Sequence, residues 1–235
     1  FYEKRWFTSA TDYSNCELTV CGQTVPVSPS LLFRTKETTF GIEICEDLWA
    51  AIPASSKTAL AGAEIIFNLS ADNEGIAKHD YLRSLIAQQS ARCLCGYVFS
   101  SCGFGESTTD LVFAGNGLIY ENGTLLAESE RFSFDEQLIF SEIDVDAIRN
   151  DRKVNTTFAA CMAKENATGK IIVADPVNIR PFELTRKINP HPFIPSAGAD
   201  MDNRCKDIFS IQVAGLAKRL VHTNTKSVVV GISGG

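Results

Sequence analysis

Apolar positions along this chain fall into short runs separated by polar and glycine-rich breaks, a pattern that predicts strands alternating with helices. Residues 38–44, Thr-Thr-Phe-Gly-Ile-Glu-Ile, are β-branched and aromatic and read as a strand. Residues 54–63 are alanine-rich and helical, closed by Gly62, and 64–70 form a short apolar strand of the kind buried in a sheet. The periodicity then predicts a long amphipathic helix over 77–95, with Leu82, Leu85, Ile86 and Gln89 at helical spacing and Gly96 just past its end. Further strands are expected at 97–101, 111–113, 117–120, 125–129 and 138–144. Glu121-Asn122-Gly123 marks a hairpin turn, because Asn-Gly tolerates the positive φ such turns need. This order predicts an α/β fold of helices layered on sheet.

The chain changes character after residue 176. Pro176, Pro181, Pro190, Pro192 and Pro195 crowd a stretch that suits an extended linker or docking arm. A helix is predicted over 204–222, with Ile208, Ile211, Leu216 and Leu220 on one face. A buried parallel-type strand is then expected at 227–232, ending in Ser233-Gly234-Gly235. A glycine-rich turn after a strand lets bare backbone amides approach a phosphate.

Composition narrows the function classes. With 235 residues, 45% hydrophobic and 21% charged, the chain is long enough for one domain and part of another. A net charge of −6 argues against a nucleic-acid surface, and no apolar run approaches a membrane span. The chain opens on Phe1-Tyr2-Glu3-Lys4-Arg5 and stops at Gly235, so both ends are expected to be cuts from a longer protein. Its eight cysteines lack the spacing of a zinc site or a disulfide framework, which predicts reduced thiols in a cytoplasmic protein.

The sharpest candidate for chemistry is Cys45. It ends a strand and is followed at once by Glu46 and Asp47, residues favoured in the first turn of a helix. A thiol at such a corner faces backbone amides that favour the thiolate and can donate to an oxyanion. The three histidines, His79, His191 and His222, are remote from it in sequence, so the expected base is a carboxylate or a lysine.

Several segments carry a family resemblance. Residues 1–5, 43–47, 68–70, 90–93, 105–110 (Gly-Glu-Ser-Thr-Thr-Asp) and 121–132 resemble the glutamine-hydrolysing domain of glutamine-dependent NAD synthetases, within the nitrilase (carbon–nitrogen hydrolase) superfamily. Residues 230–235 resemble the opening of the PP-loop of the ATP-dependent synthetase domain, although the Asp-Ser that continues that motif is absent. The resemblance implies a nitrilase-type αββα sandwich over 1–176 lacking its N-terminal part. A linker at 177–203 follows, and 204–235 would be the first helix and strand of a Rossmann-like synthetase domain.

It also implies an amidotransferase. Glutamine would be hydrolysed through a cysteine thioester, and the ammonia would pass to a second site. There ATP with Mg2+ adenylates deamido-NAD, and ammonia displaces AMP to give NAD. Of the family's Glu-Lys-Cys triad only the cysteine maps here, onto Cys45; Lys4 aligns after the triad lysine and does not replace it. Glu3 matches an additional glutamate beside that lysine, and the Glu46 amide an oxyanion donor. Trp49 and Lys78 match the glutamine pocket, where Asp72 stands at a position often serine. Ser233, Gly234 and Gly235 match the start of the ATP site. No metal site is implied in the glutaminase part, and the parent enzyme is expected to be a homo-oligomer. A stand-alone nitrilase-type amidase is the alternative, set apart by the tail 204–235. A chain with the nucleophile but no base would be inactive alone.

Overall fold

The computed structural model describes residues 5–9, 16–165, 169–174, 183–191, 194 and 199–232. Two units divide the chain, Phe1–Arg186 and Lys187–Gly235. The first begins with a hairpin of β1 (Cys16–Val20) and β2 (Gln23–Val27). Its sheet is built from β3 (Leu31–Arg34), β4 (Thr39–Ile44), β5 (Ile65–Ser70), β6 (Gly96–Ser101), β7 (Gly117–Glu121), β8 (Thr124–Glu128) and β9 (Lys170–Val173). The strand order is β8-β7-β6-β5-β4-β3-β9. Strands β4, β5 and β6 run parallel, so each connection needs a crossover, supplied by α1 (Ala54–Leu60) and α2 (Lys78–Cys93). The β7–β8 pair turns through Asn122 and Gly123, both at positive φ, as the Asn-Gly signal predicts.

Register decides which side chains meet the helices. Gly41 and Glu43 pair with Ile66 and Asn68, and these with Tyr97 and Phe99, all on one face of the sheet. Leu82 and Ile86 of α2 complete the core with Leu48, Ala59 and Leu118. The other face carries Phe33, Phe40, Ile42, Phe67 and Leu69. There Phe33 stacks on Phe40 at 5.2 Å and Phe40 meets Phe67 edge-on at 5.4 Å. Ile44 and Leu69 on that face are 62% and 53% exposed. The described residues therefore form one helix layer on one sheet layer, which is one side of an αββα arrangement.

Two of the strands expected in the first unit are absent. At 111–113 the Val112 carbonyl accepts from the Glu74 amide at 2.7 Å and the Phe113 amide donates to Ser107 Oγ at 3.2 Å. The segment 138–144 crosses β6 and β7 instead of pairing with them. A Cβ at Gly96 would stand 2.8 Å from Ile143 Cδ1, so the missing side chain makes room for that crossing.

Two helices went unpredicted, α3 (Val145–Val154) and α4 (Thr156–Glu165). Asp144 caps α3, its Oδ1 accepting from the Ala147 amide at 2.9 Å. Arg152 of α3 donates to the Cys93 and Leu94 carbonyls at 3.1 and 2.9 Å, satisfying acceptors at the end of α2. In the second unit the predicted helix forms as α5 (Ala199–His222), beginning before residue 204. The strand expected at 227–232 does not form. A buried parallel strand needs neighbours to pair with, and here Val229 is fully exposed.

Close packing of α1 on β4 gives a stability prediction. A Cβ at Gly41 would lie 2.1 Å from Thr58 Cγ2, whereas at Gly105 it would meet nothing within 4 Å. Gly41→Ala is expected to lower unfolding stability by about 1–3 kcal/mol. Gly105→Ala should stay within about 0.5 kcal/mol of wild type. Urea unfolding measures both, and equal stability of the two variants would contradict the packing described.

Candidate functional site

The carboxyl ends of parallel strands collect exposed backbone groups and loops, and in open α/β sheets that edge is where ligands bind. Cys45 stands there, directly after β4, and opens a short 3-10 helix, Cys45–Trp49. Its φ is 47°, a left-handed conformation that costs a non-glycine residue about 1–3 kcal/mol and is met most often at functional sites. The corner is braced locally: the Ile44 amide donates to Asp47 Oδ2 at 2.9 Å. A single 3-10 turn is too short to develop an α-helical dipole, so the donors here are individual amides. Glu46 is exposed and Cys45 half-buried. Cys102, after β6, shares the edge: burial first, then the Glu106 carboxylate, push its thiol up, and Cys45 acts in the same direction.

Beneath the corner lies a polar network that the sequence did not reveal. Glu43, two residues before Cys45, is 2% exposed on the helix-covered face. Its carboxylate accepts from the Ser55 amide at 2.6 Å, from Asn68 Nδ2 at 3.3 Å, and from the Tyr97 hydroxyl. Asn68 Nδ2 also donates to the Tyr97 hydroxyl at 3.1 Å. Gln89 of α2 donates to Ser55 Oγ at 2.9 Å, which fixes the start of α1. Three strands and α1 thus meet on one buried acid, with α2 bracing α1 through Gln89. Burial first, then the Glu43 carboxylate, push the Tyr97 phenol far above its ordinary range, so it remains a donor.

Trp49 and Lys78 lie close together. The Lys78 ammonium sits 5.4 Å from the Trp49 ring centroid, and Trp49 stacks on Tyr81 at 5.5 Å. Lys78 Nζ donates to Asp72 Oδ1 and to the Asn73 carbonyl, each at 2.6 Å, and to Asn73 Oδ1 at 3.3 Å. The loop between β5 and α2, which carries Asp72 and Asn73, is held from outside. Glu74 Oε2 takes Asn116 Nδ2 and Arg131 at 3.2 Å each. His79 bridges Asn116 Oδ1 at 3.1 Å and Glu128 Oε1 at 2.9 Å. Burial opposes ionisation of Glu74, but Asn116, the Gly75 amide and Arg131 outweigh it and hold its carboxyl below the usual range. The segment 121–132 therefore serves as a clamp on this loop, a role only long-range contacts disclose.

Glu3, Ser233, Gly234 and Gly235 lie outside the described residues. Among the described residues no cluster of His, Cys, Asp or Glu is arranged to hold a metal ion, and no helix is long and apolar enough to cross a membrane. Cavities of about 950 and 600 Å³ occur, one lined by Ile42, Glu43, Ile44, Asp47 and Thr58 and so flanking the Cys45 corner, the other between Phe104 and Leu138. Neither is lined by Trp49, Asp72 or Lys78.

No family model matches the chain. It is 34% identical over 242 residues to the glutamine-dependent NAD(+) synthetase of Mycobacterium leprae, covering 100% of this chain and 35% of that protein. The same enzyme of Mycobacterium tuberculosis gives 34% over 242 residues, with 36% of it covered. That of Drosophila melanogaster gives 31% over 159 residues, 63% of this chain and 20% of the relative. The chain thus spans about a third of the length of the mycobacterial relatives it matches. Among solved structures, a glutamine-dependent NAD(+) synthetase from Cytophaga hutchinsonii aligns with a TM-score of 0.48 and 27% identity, over 57% of this chain and 21% of that one. A carbon–nitrogen hydrolase from Helicobacter pylori aligns with a TM-score of 0.45 and 18% identity, over 53% and 46%.

The network beneath Cys45 makes a pH-dependent prediction. Tyr97→Phe removes one donor from a buried carboxylate, a loss of about 1.5–3 kcal/mol of unfolding stability. The folded pKa of Tyr97 is raised above the unfolded value of about 10, so its stabilisation is complete below that pH and is lost as pH rises further. Wild type should exceed the variant in urea unfolding at neutral pH, with the gap narrowing above about pH 10. A gap that widens there would contradict the hydrogen bond.

Proposed function

The chain is related along its whole length to the glutamine-dependent NAD(+) synthetases, and on that premise we propose that it is part of their glutamine-hydrolysing half with the start of the ATP-dependent half. Cys45 Sγ attacks the amide carbon of glutamine as a thiolate, and the carbonyl electrons move to oxygen. The Glu46 amide donates to that oxyanion, joined by a lysine outside this chain. Collapse of the tetrahedral intermediate expels ammonia, the departing nitrogen taking its proton from the general acid–base group. A γ-glutamyl thioester on Cys45 remains. Water then attacks the thioester, releasing glutamate and restoring the thiol. The base is a carboxylate outside this chain, and Glu3 restrains the lysine between them. Trp49 and Lys78 line the glutamine pocket.

Ammonia then passes to the second half, where the nicotinate carboxylate of deamido-NAD attacks the α-phosphate of ATP and expels pyrophosphate, and attack of ammonia on the resulting acyl adenylate releases AMP and forms NAD; Mg2+ bound there would offset the phosphate charge. Ser233, Gly234 and Gly235 begin the phosphate cradle, their small side chains leaving backbone amides open. We assign none of this chain's residues to Mg2+. The parent enzyme is proposed as a cytoplasmic homo-oligomer paired through its sandwich domains, a reading supported by the family resemblance.

The observation that carries the proposal is Cys45 in a left-handed turn at the end of a parallel strand, within a sequence that matches these enzymes from end to end. The match runs on through the tail after residue 204, which a stand-alone amidase has no reason to possess. In the full-length enzyme Cys45→Ala should abolish glutamine-dependent NAD formation and leave ammonia-dependent formation near the wild-type rate. Equal loss of both, measured by steady-state NAD production, would remove Cys45 from the role.

A further inference from the structure

Cys45 is carried on a segment with few attachments of its own. Residues 44–54 leave β4, pass through the 3-10 helix Cys45–Trp49 and reach α1 without further regular structure. Most of the segment is exposed, and of its side chains only Leu48 and Pro53 are buried. Pro53, at the N-cap of α1, has no side-chain acceptor for the free amides of the first turn. The Ser55 amide is taken instead by Glu43 Oε2 at 2.6 Å, from twelve residues back along the chain. Glu43 Oε1 faces the sheet, accepting from Asn68 Nδ2 at 3.3 Å and from the Tyr97 hydroxyl. One carboxylate therefore joins the two ends of the segment. Its backbone belongs to β4, one oxygen is held by β5 and β6, and the other holds the start of α1.

That closure has a chemical consequence. Cys45 Sγ and the Glu46 amide are adjacent in the segment, and both must meet one carbonyl group at once, the thiolate at carbon and the amide at oxygen. A misplacement of about 1 Å costs such an arrangement on the order of 10²-fold in rate. The left-handed φ of Cys45 persists only where the surroundings over-determine it. Asp47 braces the corner from within, its Oδ2 accepting from the Ile44 amide at 2.9 Å. That bond spans three residues of the segment itself, so it does not set where the segment stands against the sheet. The Glu43–Ser55 bond does. Trp49, by contrast, is also held from α2, by stacking on Tyr81 and by the Lys78 ammonium over its ring. Binding groups and bond-making groups thus have separate supports. We propose that Glu43 is a positioning residue for the glutaminase step, its carboxylate closing the segment that aligns the Cys45 thiol with the Glu46 amide. This rests on the reading of Cys45 as the nucleophile and deepens it, because the alignment is assigned to a buried acid that touches no substrate.

The test measures ammonia release from glutamine in the full-length enzyme for wild type, Glu43→Ala, Glu43→Gln and Tyr97→Phe. Turnover is expressed per Cys45 alkylated at end point by a diazoketone analogue of glutamine, so unfolded protein is not counted. Glu43→Ala removes the closure, and kcat should fall by on the order of 100-fold with KM within about threefold of wild type. The Glu43→Gln side chain offers one oxygen to donors that converge from two sides, and kcat should fall by on the order of tenfold at nearly constant KM. Tyr97→Phe loses a donor on the sheet side but keeps the Ser55 bond, so its kcat should stay within about threefold of wild type although it unfolds more readily. A support confined to stability would leave kcat per titrated site unchanged in every variant, and that result overturns the proposal. A rise in KM at unchanged kcat also overturns it, as does a Tyr97→Phe kcat as low as that of Glu43→Ala. Should Glu43→Ala leave no titratable site, Glu43→Gln decides, and wild-type kcat there overturns the proposal. If Cys45→Ala releases ammonia from glutamine as fast as wild type, the glutaminase reading fails first and takes this inference with it. Cys45-dependent release that is indifferent to Glu43 overturns this inference alone.

Discussion

Glu43 is an acid placed where an acid is costly, and the sheet is organised around satisfying it. Burying an unpaired carboxylate costs far more than any one contact returns, so its three donors have to be in place together. They come from α1 through Ser55, from β5 through Asn68 and from β6 through Tyr97. The requirement fixes register. A slip of one residue in β4 would move Glu43 to the opposite face, toward Phe33 and Phe67 of the neighbouring strands, and leave those donors unpaired. Cys45 inherits the result, because its corner follows by two residues. The backbone strain at Cys45 is sustained by a framework that permits few alternatives.

The neighbouring loop is held on the same principle by different means. No regular structure runs from Ala71 to Ala77, so its geometry comes from side chains of later segments. Asn116 serves both Glu74 and His79, Glu128 bridges His79, and Arg131 reaches Glu74. Through that set, Asn116 before β7, Glu128 at the end of β8 and Arg131 after it hold the segment that carries Asp72 and the start of α2. Cys45 from one strand end and Asp72 and Lys78 after the next are brought to one edge without either being carried by a long flexible loop.

The sequence made some of this visible and hid the rest for identifiable reasons. Strands β4 to β8, the α1 and α2 crossovers and the Asn122-Gly123 turn were legible, because each has a local signal of periodicity, length or turn chemistry. Cys45 was legible from its strand-to-acid junction. Trp49 and Lys78 came from the family resemblance, and the structure brings them together. Residues 111–113 and 138–144 have strand-like composition, but composition cannot show that Val112 is already bonded to Glu74 or that Ile143 must fill the space over Gly96. Strands β3 and β9 were missed because each is short, four residues, and they pair with each other across a long stretch of chain. Glu43 read as one polar residue in a strand, since its partners lie 12 to 54 residues away.

The central claim is that the strained cysteine at the end of β4 is the residue that takes the amide carbon of glutamine. The most direct measurement is covalent capture. The full-length enzyme is treated with a diazoketone analogue of glutamine, which alkylates an attacking nucleophile with loss of dinitrogen, and the digested protein is mapped by mass spectrometry. The account predicts one adduct, on the peptide containing Cys45, formed more slowly when glutamine is present and accompanied by loss of glutamine-dependent but not ammonia-dependent NAD formation. An adduct on Cys102 or another residue with Cys45 unmodified, or labelling that glutamine does not slow, would contradict it.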